Sequence, residues 1–263
     1  MHRKHVRYAQ RYVRGFCDIA PVVQTRRATM NRSKAEMWTK GGSAALDPYA
    51  EMREEMVETQ LRRRGVKDIA VLKAMATVPR HEFVPAVFKD LAYRDEPLAI
   101  GEGQTISQPY IVSAMTEALC LTGNERVLDV GTGCGYQAAV LAELAGEVHS
   151  IELRPSLAKA ASERLHVLGF TRVHVHCGDG TLGLQEFAPF DAILVAAAAP
   201  RVPQALLEQM SEGARLIAPL GTPEQQRLIL IRKHGSEYAT EQREACRFVP
   251  LLGEYGWRDQ ERL

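Results

Sequence analysis

The sequence predicts an α/β protein built on one mostly parallel sheet with helices on both faces. Three observations carry that expectation. From Ile111 onward, short apolar runs of strand type alternate with longer stretches of helical period. One of those runs, Val127-Leu128-Asp129-Val130, leads directly into glycines and then a helix. The last two runs follow each other with no helix between them, which predicts an antiparallel edge. Repeated strand–helix alternation buries a parallel sheet from both sides.

The elements follow in order. Residues 1–50 hold ten Lys/Arg against three Asp/Glu, lack a sustained apolar period and contain Gly41-Gly42-Ser43. They read as a basic, disordered extension, with a folded domain over 51–263. Two other readings stay open: later starts at Met30, Met37 or Met52, and an Arg-rich targeting peptide. Met52, Met56, Thr59 and Leu61 then open a helix. Ile69 to Met75 forms a second, with Asp68 at its start and Val78-Pro79-Arg80 at its end. Residues 85–109, broken by Gly101 and Gly103, read as one long irregular stretch, and a loop of that length is usually functional. Helices are predicted over 112–121, 136–144, 156–168 and 203–210. Strands are predicted over 126–130, 147–151, 172–176, 190–195, 215–218 and 226–231.

Composition narrows the function. Hydrophobic residues make up 46% and charged residues 25%, the balance of a soluble globular chain. No apolar run approaches the roughly 18 residues of a membrane-spanning helix. The net charge of +1 hides a basic first fifty residues and an acidic remainder, so no basic face for nucleic acid is expected on the folded body. The five cysteines show no CxxC pair and no flanking His pair, so no metal site is expected. They read as free thiols, mostly small buried hydrophobes, in a reducing compartment, which suggests the cytoplasm. A monomer is expected.

Val127-Leu128-Asp129-Val130-Gly131-Thr132-Gly133-Cys134-Gly135-Tyr136 is the most informative segment. Glycine permits a tight turn and close ligand approach, and open α/β sheets bind nucleotides at such a turn. A dinucleotide fingerprint needs its third glycine where Tyr136 stands, which disfavours an NAD-dependent oxidoreductase. The spacing Gly131-x-Gly133-x-Gly135 after Asp129 instead resembles the motif of Rossmann-like S-adenosylmethionine methyltransferases. That resemblance implies a Rossmann-like methyltransferase fold and S-adenosyl-L-methionine as cofactor. Asp129 would face its amino-acid end, Glu152 its ribose hydroxyls, and Asp179 with Gly180 its adenine. After the fourth strand, amine-directed methyltransferases of nucleobases often carry an Asn/Asp-Pro-Pro-aromatic motif. Here Ala196-Ala197-Ala198-Ala199-Pro200 offers an amine no polar group.

Gly103-Gln104-Thr105-Ile106-Ser107-Gln108-Pro109-Tyr110 closely resembles the signature of protein-L-isoaspartate O-methyltransferases. Val78-Pro79-Arg80, Phe83-Val84-Pro85, Tyr93, Pro97-Leu98, Gly178-Asp179-Gly180, Pro189-Phe190-Asp191 and Phe248-Val249-Pro250-Leu251 continue the family pattern in order. Three positions depart from it: Asp129 where glutamate is common, Cys134 where serine is common, and Ala196 where threonine is common. The resemblance covers residues 52–257. It implies methyl transfer to the free α-carboxylate of L-isoaspartyl residues in damaged proteins, whose ester then collapses to a succinimide and reopens as aspartate. By the same resemblance Ser107 is the catalytic residue, orienting the acceptor, with Thr105 and Gln108 as substrate-positioning supports. No His–Asp partner accompanies Ser107, so a covalent role is not expected. His81 reads as a surface or loop histidine and not as a base. Two alternatives remain, a different carboxylate acceptor and a non-catalytic binder of damaged proteins.

Overall fold

The computed structural model of the chain describes residues 47–257, and the readings made of residues 1–46 and 258–263 lie outside them. The described chain opens with α1 (Ala50–Glu55), which widens into a π-helical stretch, Met56–Leu61. Helix α2 (Ile69–Thr77) follows. Its N-terminus is capped as the sequence predicts: the Asp68 carboxylate accepts from the Ala70 and Val71 amides. Residues 85–109 are more ordered than expected. Short 3-10 turns cover Arg80–Phe83 and Ala86–Leu91, and then β1 (Leu98–Gly101) pairs antiparallel with β2 (Gln104–Ile106). The hairpin reverses through Gly101, Glu102 and Gly103, all at positive φ, so the glycines flank one strained residue.

Helix α3 (Pro109–Leu119) leads into the main sheet: β3 (Arg126–Val130), α4 (Tyr136–Ala142), β4 (Glu147–Glu152), α5 (Pro155–Val167), β5 (Val173–Cys177), β6 (Phe190–Val195), α6 (Gln204–Glu208), β7 (Met210–Gly221), β8 (Gln226–His234) and β9 (Glu237–Cys246). The seven strands lie in the order β5-β4-β3-β6-β7-β8-β9. Pairing is parallel from β5 through β7 and antiparallel at β8 and β9. The mostly parallel sheet and the antiparallel edge agree with the sequence. Strand β9 was not anticipated, and β7 begins earlier than expected. On β3, Val127 belongs to one apolar core, with Met75, Phe83 and Tyr136. Its neighbour Leu128 belongs to the other, with Phe190 and Leu206. That alternation is what a strand covered on both faces requires. β3 has β4 on one side and β6 on the other, so chain order reverses there and opens a crevice beyond its carboxyl end.

Some local expectations need correction. His81 is buried: its Nδ1 lies 2.7 Å from the Tyr93 hydroxyl, and its ring stacks on Tyr49 at 4.2 Å. Asp47 to Ala50 were grouped with the extension. Yet the Tyr49 hydroxyl donates to Asp90, and Asp47 pairs with Arg53. Four of the five cysteines are described and none of the four forms a disulfide with another described residue, but only Cys134 is buried and Cys177 is exposed. Among the described residues no helix is long and apolar enough to cross a membrane.

Candidate active site

The glycine turn closes the carboxyl end of β3. Gly131, Gly133 and Gly135 stand at φ of 97°, 53° and 91°, which side chains rarely adopt. Gly131 and Gly133 line a narrow cavity of about 70 Å³ with Glu152, Gly180 and Ala196. Gly135 is not on that wall. A Cβ there would lie 3.1 Å from Leu165, so it serves the packing of α4 on α5. Gly180 lets β3 approach closely, since a Cβ would fall 2.6 Å from Val130. The Glu152 carboxylate accepts from the Gly133 amide (2.8 Å) and the Arg154 amide (3.0 Å). A carboxylate therefore already holds the N–H that a dinucleotide's pyrophosphate would seek, and its charge would repel one. The same oxygens keep lone pairs for hydroxyl donors.

Asp129 lies behind the turn, fully buried and off the cavity wall. Its Oδ2 accepts from Ser150 (2.7 Å), which in turn meets Thr132 at 2.6 Å, while Oδ1 has no partner among the described residues. Burial pushes its pKa up to about 7. Asp179 is also off the wall. Its Oδ1 accepts from the Thr181 amide and hydroxyl, and its Oδ2 from the Glu254 amide at 2.7 Å. The acid thus ties the C-terminal segment to the turn after β5.

Ser107 sits between β2 and α3, half-buried, on the wall of a second cavity of about 330 Å³ that Thr105 and Gln108 also line. Its carbonyl accepts from Arg80 (2.7 Å), and its hydroxyl has no hydrogen bond among the described residues. The helix start just beyond is fixed by Asp95, which accepts from the Tyr110 amide at 2.9 Å and pairs with Arg64. The cavities share Thr105, Ala196 and Val249 as common wall. So the glycine-turn residues and the signature residues, distant in sequence, face adjoining spaces. Ala196, the threonine-to-alanine departure, stands where they meet. Val249 was missed as a site residue, although its Phe-Val-Pro-Leu motif was legible. The Val249 carbonyl accepts from the Ala198 amide (2.8 Å) and the Leu251 amide donates to Ala198 (2.7 Å), so this segment is strapped across the crevice. The hairpin covers it from the other side: Glu102 accepts from the Ser156 hydroxyl at 3.0 Å.

A solved structure from Plasmodium falciparum in complex with S-adenosyl-L-homocysteine shares the fold, with a TM-score of 0.66 at 24% identity over 76% of this chain and 98% of that one. The parallel sheet, the glycine turn at its switch point and the acid ending the next strand are those of a Rossmann-like methyltransferase fold. Residues 51–256 match the model of the Protein-L-isoaspartate(D-aspartate) O-methyltransferase (PCMT) family. Protein-L-isoaspartate O-methyltransferase 2 of Marinobacter nauticus is 57% identical over 79% of this chain and 96% of its own length. Protein-L-isoaspartate O-methyltransferase of Picosynechococcus sp. is 52% identical over 80% and 95%. A solved protein-L-isoaspartate O-methyltransferase superposes with a TM-score of 0.71 at 31% identity, over 78% of this chain and 67% of that one. The chain belongs to the protein-L-isoaspartate O-methyltransferase family.

Proposed function

We propose that Ser107 orients the acceptor in the reaction this family membership assigns: methyl transfer from S-adenosylmethionine to the free α-carboxylate of L-isoaspartyl residues in damaged proteins, initiating their repair. The observation that carries the assignment of Ser107 is its unengaged hydroxyl on the wall of a cavity that adjoins the glycine-turn cavity. When bound, the cofactor supplies an electrophilic methyl group on a sulfonium.

The chain's own residues have a limited task. The acceptor carboxylate, with an unperturbed pKa of about 3.3–3.7, is ionised at neutral pH and needs no base. Ser107 donates to one of its oxygens and fixes the direction of the other, and such alignment contributes several kcal/mol to a barrier. Thr105 and Gln108 support the acceptor beside it. Gly131, Gly133, Glu152 and Gly180 form the cofactor wall, with Glu152 accepting from ribose hydroxyls. Asp129 backs the turn with an unpartnered buried oxygen suited to an ammonium or N–H donor. Gly135 and Asp179 shape that wall from behind. The hairpin and the Phe248–Leu251 segment exclude water from both charges as they come together. Calorimetry tests the cofactor wall: Glu152→Ala should weaken binding of S-adenosylhomocysteine by roughly 1–3 kcal/mol, and an unchanged dissociation constant would remove Glu152 from it.

We further propose a cytoplasmic, monomeric enzyme acting on proteins and not on nucleic acid or membranes. The absence of a disulfide among the described cysteines supports the reducing compartment, and the acidic balance of residues 51–263 argues against nucleic acid. Residues 1–50 are proposed to be an extension apart from the methyltransferase domain of residues 51–263. The family match begins at residue 51, although Tyr49 packs on the domain.

A further inference from the structure

We propose that Arg80 is a positioning residue for methyl transfer, fixing the Ser107 backbone so that its hydroxyl meets the acceptor and tying that loop to the helix after the glycine turn. This inference rests on the role given to Ser107 above. Arg80 is completely buried, at 0% exposure. Arginine is almost never fully buried without a carboxylate partner, and a buried cation without one is strongly unfavourable. Among the described residues Arg80 has no ion pair. Its Nε donates to the Ala92 carbonyl (2.6 Å) and its Nη2 to the Ser107 carbonyl (2.7 Å). Nη1 has no hydrogen-bond partner among the described residues, and the Tyr136 ring faces the guanidinium at 4.8 Å. Burial lowers its pKa, which is the signature of a charge held at a penalty.

The three anchors explain why an arginine stands here. Ala92 precedes the covering hairpin, Ser107 lies on the acceptor cavity, and Tyr136 is the first residue of α4 after Gly135. A planar fork with donors at fixed angles sets the relative placement of all three. Lysine, a flexible point charge, cannot do so, and a hydrocarbon would fill the volume without aiming any carbonyl. Aiming matters because the unengaged Ser107 hydroxyl belongs to the residue whose carbonyl Arg80 holds.

The test compares Arg80→Lys, Ser107→Ala and the double variant, measuring kcat and KM for an isoaspartyl peptide, affinity for S-adenosylhomocysteine, and the melting temperature. Arg80→Gln serves if lysine is not tolerated, because its amide still reaches one carbonyl. The expected result is a kcat reduced roughly 10- to 100-fold by Arg80→Lys, with cofactor affinity within about twofold. The double variant should be hardly slower than Ser107→Ala alone, because the arginine acts through the serine. A folded Arg80→Lys or Arg80→Gln enzyme with full kcat would overturn the proposal, as would losses that multiply in the double variant. Full activity in Ser107→Ala would instead strike the reading on which it rests. Loss of fold in both Arg80 variants, even with S-adenosylhomocysteine present, would assign Arg80 to stability and overturn it too.

Discussion

Asp129 holds a fully buried carboxyl group, and one of its oxygens has no partner among the described residues. Burial raises its folded pKa from an ordinary 3.8 to about 7, so its contribution to stability is fully present below 3.8 and lost as pH rises to 7. Asp129→Asn should therefore raise the melting temperature more at pH 8 than at pH 5. Equal shifts at the two values would show that Asp129 is ionised throughout. Ser107→Ala should reduce kcat/KM for the isoaspartyl peptide roughly 10- to 100-fold, the loss of one hydrogen bond to a charged group, and leave cofactor affinity within about twofold. A rate equal to wild type would move the orienting role from the hydroxyl to the loop backbone. The glycine motif and the acid ending the next strand were legible in the sequence as neighbours, and Gly131, Gly133 and Glu152 do line one cavity. The sequence reading misplaced His81 at the surface, and it marked Arg80 and Val249 only as members of motifs, with no role for either. Their surroundings are assembled from Tyr93, Ser107, Tyr136 and Ala198, which no local pattern connects to them.

Strands were legible where side chains alternate against a core and illegible where backbone pairing alone defines them. β6 agrees residue for residue with its apolar run, Phe190–Val195. β9 carries Glu237, Glu241, Arg243 and Glu244, the charged pattern of an edge strand, and only its ladder with β8 reveals it. The β1–β2 hairpin was read as irregular because two short strands around Gly101-Glu102-Gly103 have no period to detect. The edge formed by β4 and β5 holds a testable cluster. His149 is buried, stacks on Phe187 at 4.3 Å, and lies 3.1 Å from His176. Glu147 and His174 also face this group. Burial depresses the pKa of His149 and of His176 below 6.5. Their stabilising contribution is present above 6.5 and lost as pH falls through the depressed values. The melting temperature should fall as pH is lowered below 6.5, and His149→Phe should flatten that fall. An identical pH profile in the variant would place the acid sensitivity elsewhere.

The domain is assembled so that segments far apart in sequence close over one crevice: the hairpin and signature from before the sheet, the turn from its centre, and Phe248–Leu251 from after it. The boundary of this domain has its own test. A protein beginning at Met52 should remain active but lose the Tyr49 contacts, and one beginning at Asp47 should keep them. Aromatic stacking of about 0.5–1.5 kcal/mol predicts a difference of a few degrees in melting temperature between the two. Equal melting temperatures would show that residues 47–51, Tyr49 among them, contribute nothing to stability. The most direct measurement of this enzyme's selectivity is labelled methyl transfer to an isoaspartyl peptide and its aspartyl twin. The two have the same charge and composition and differ by one methylene moved from side chain to backbone. Only placement of the carboxylate beside Ser107 can separate them. The isoaspartyl peptide should be methylated at a far higher kcat/KM; equal rates on both peptides would contradict placement of the acceptor by Ser107 and its loop.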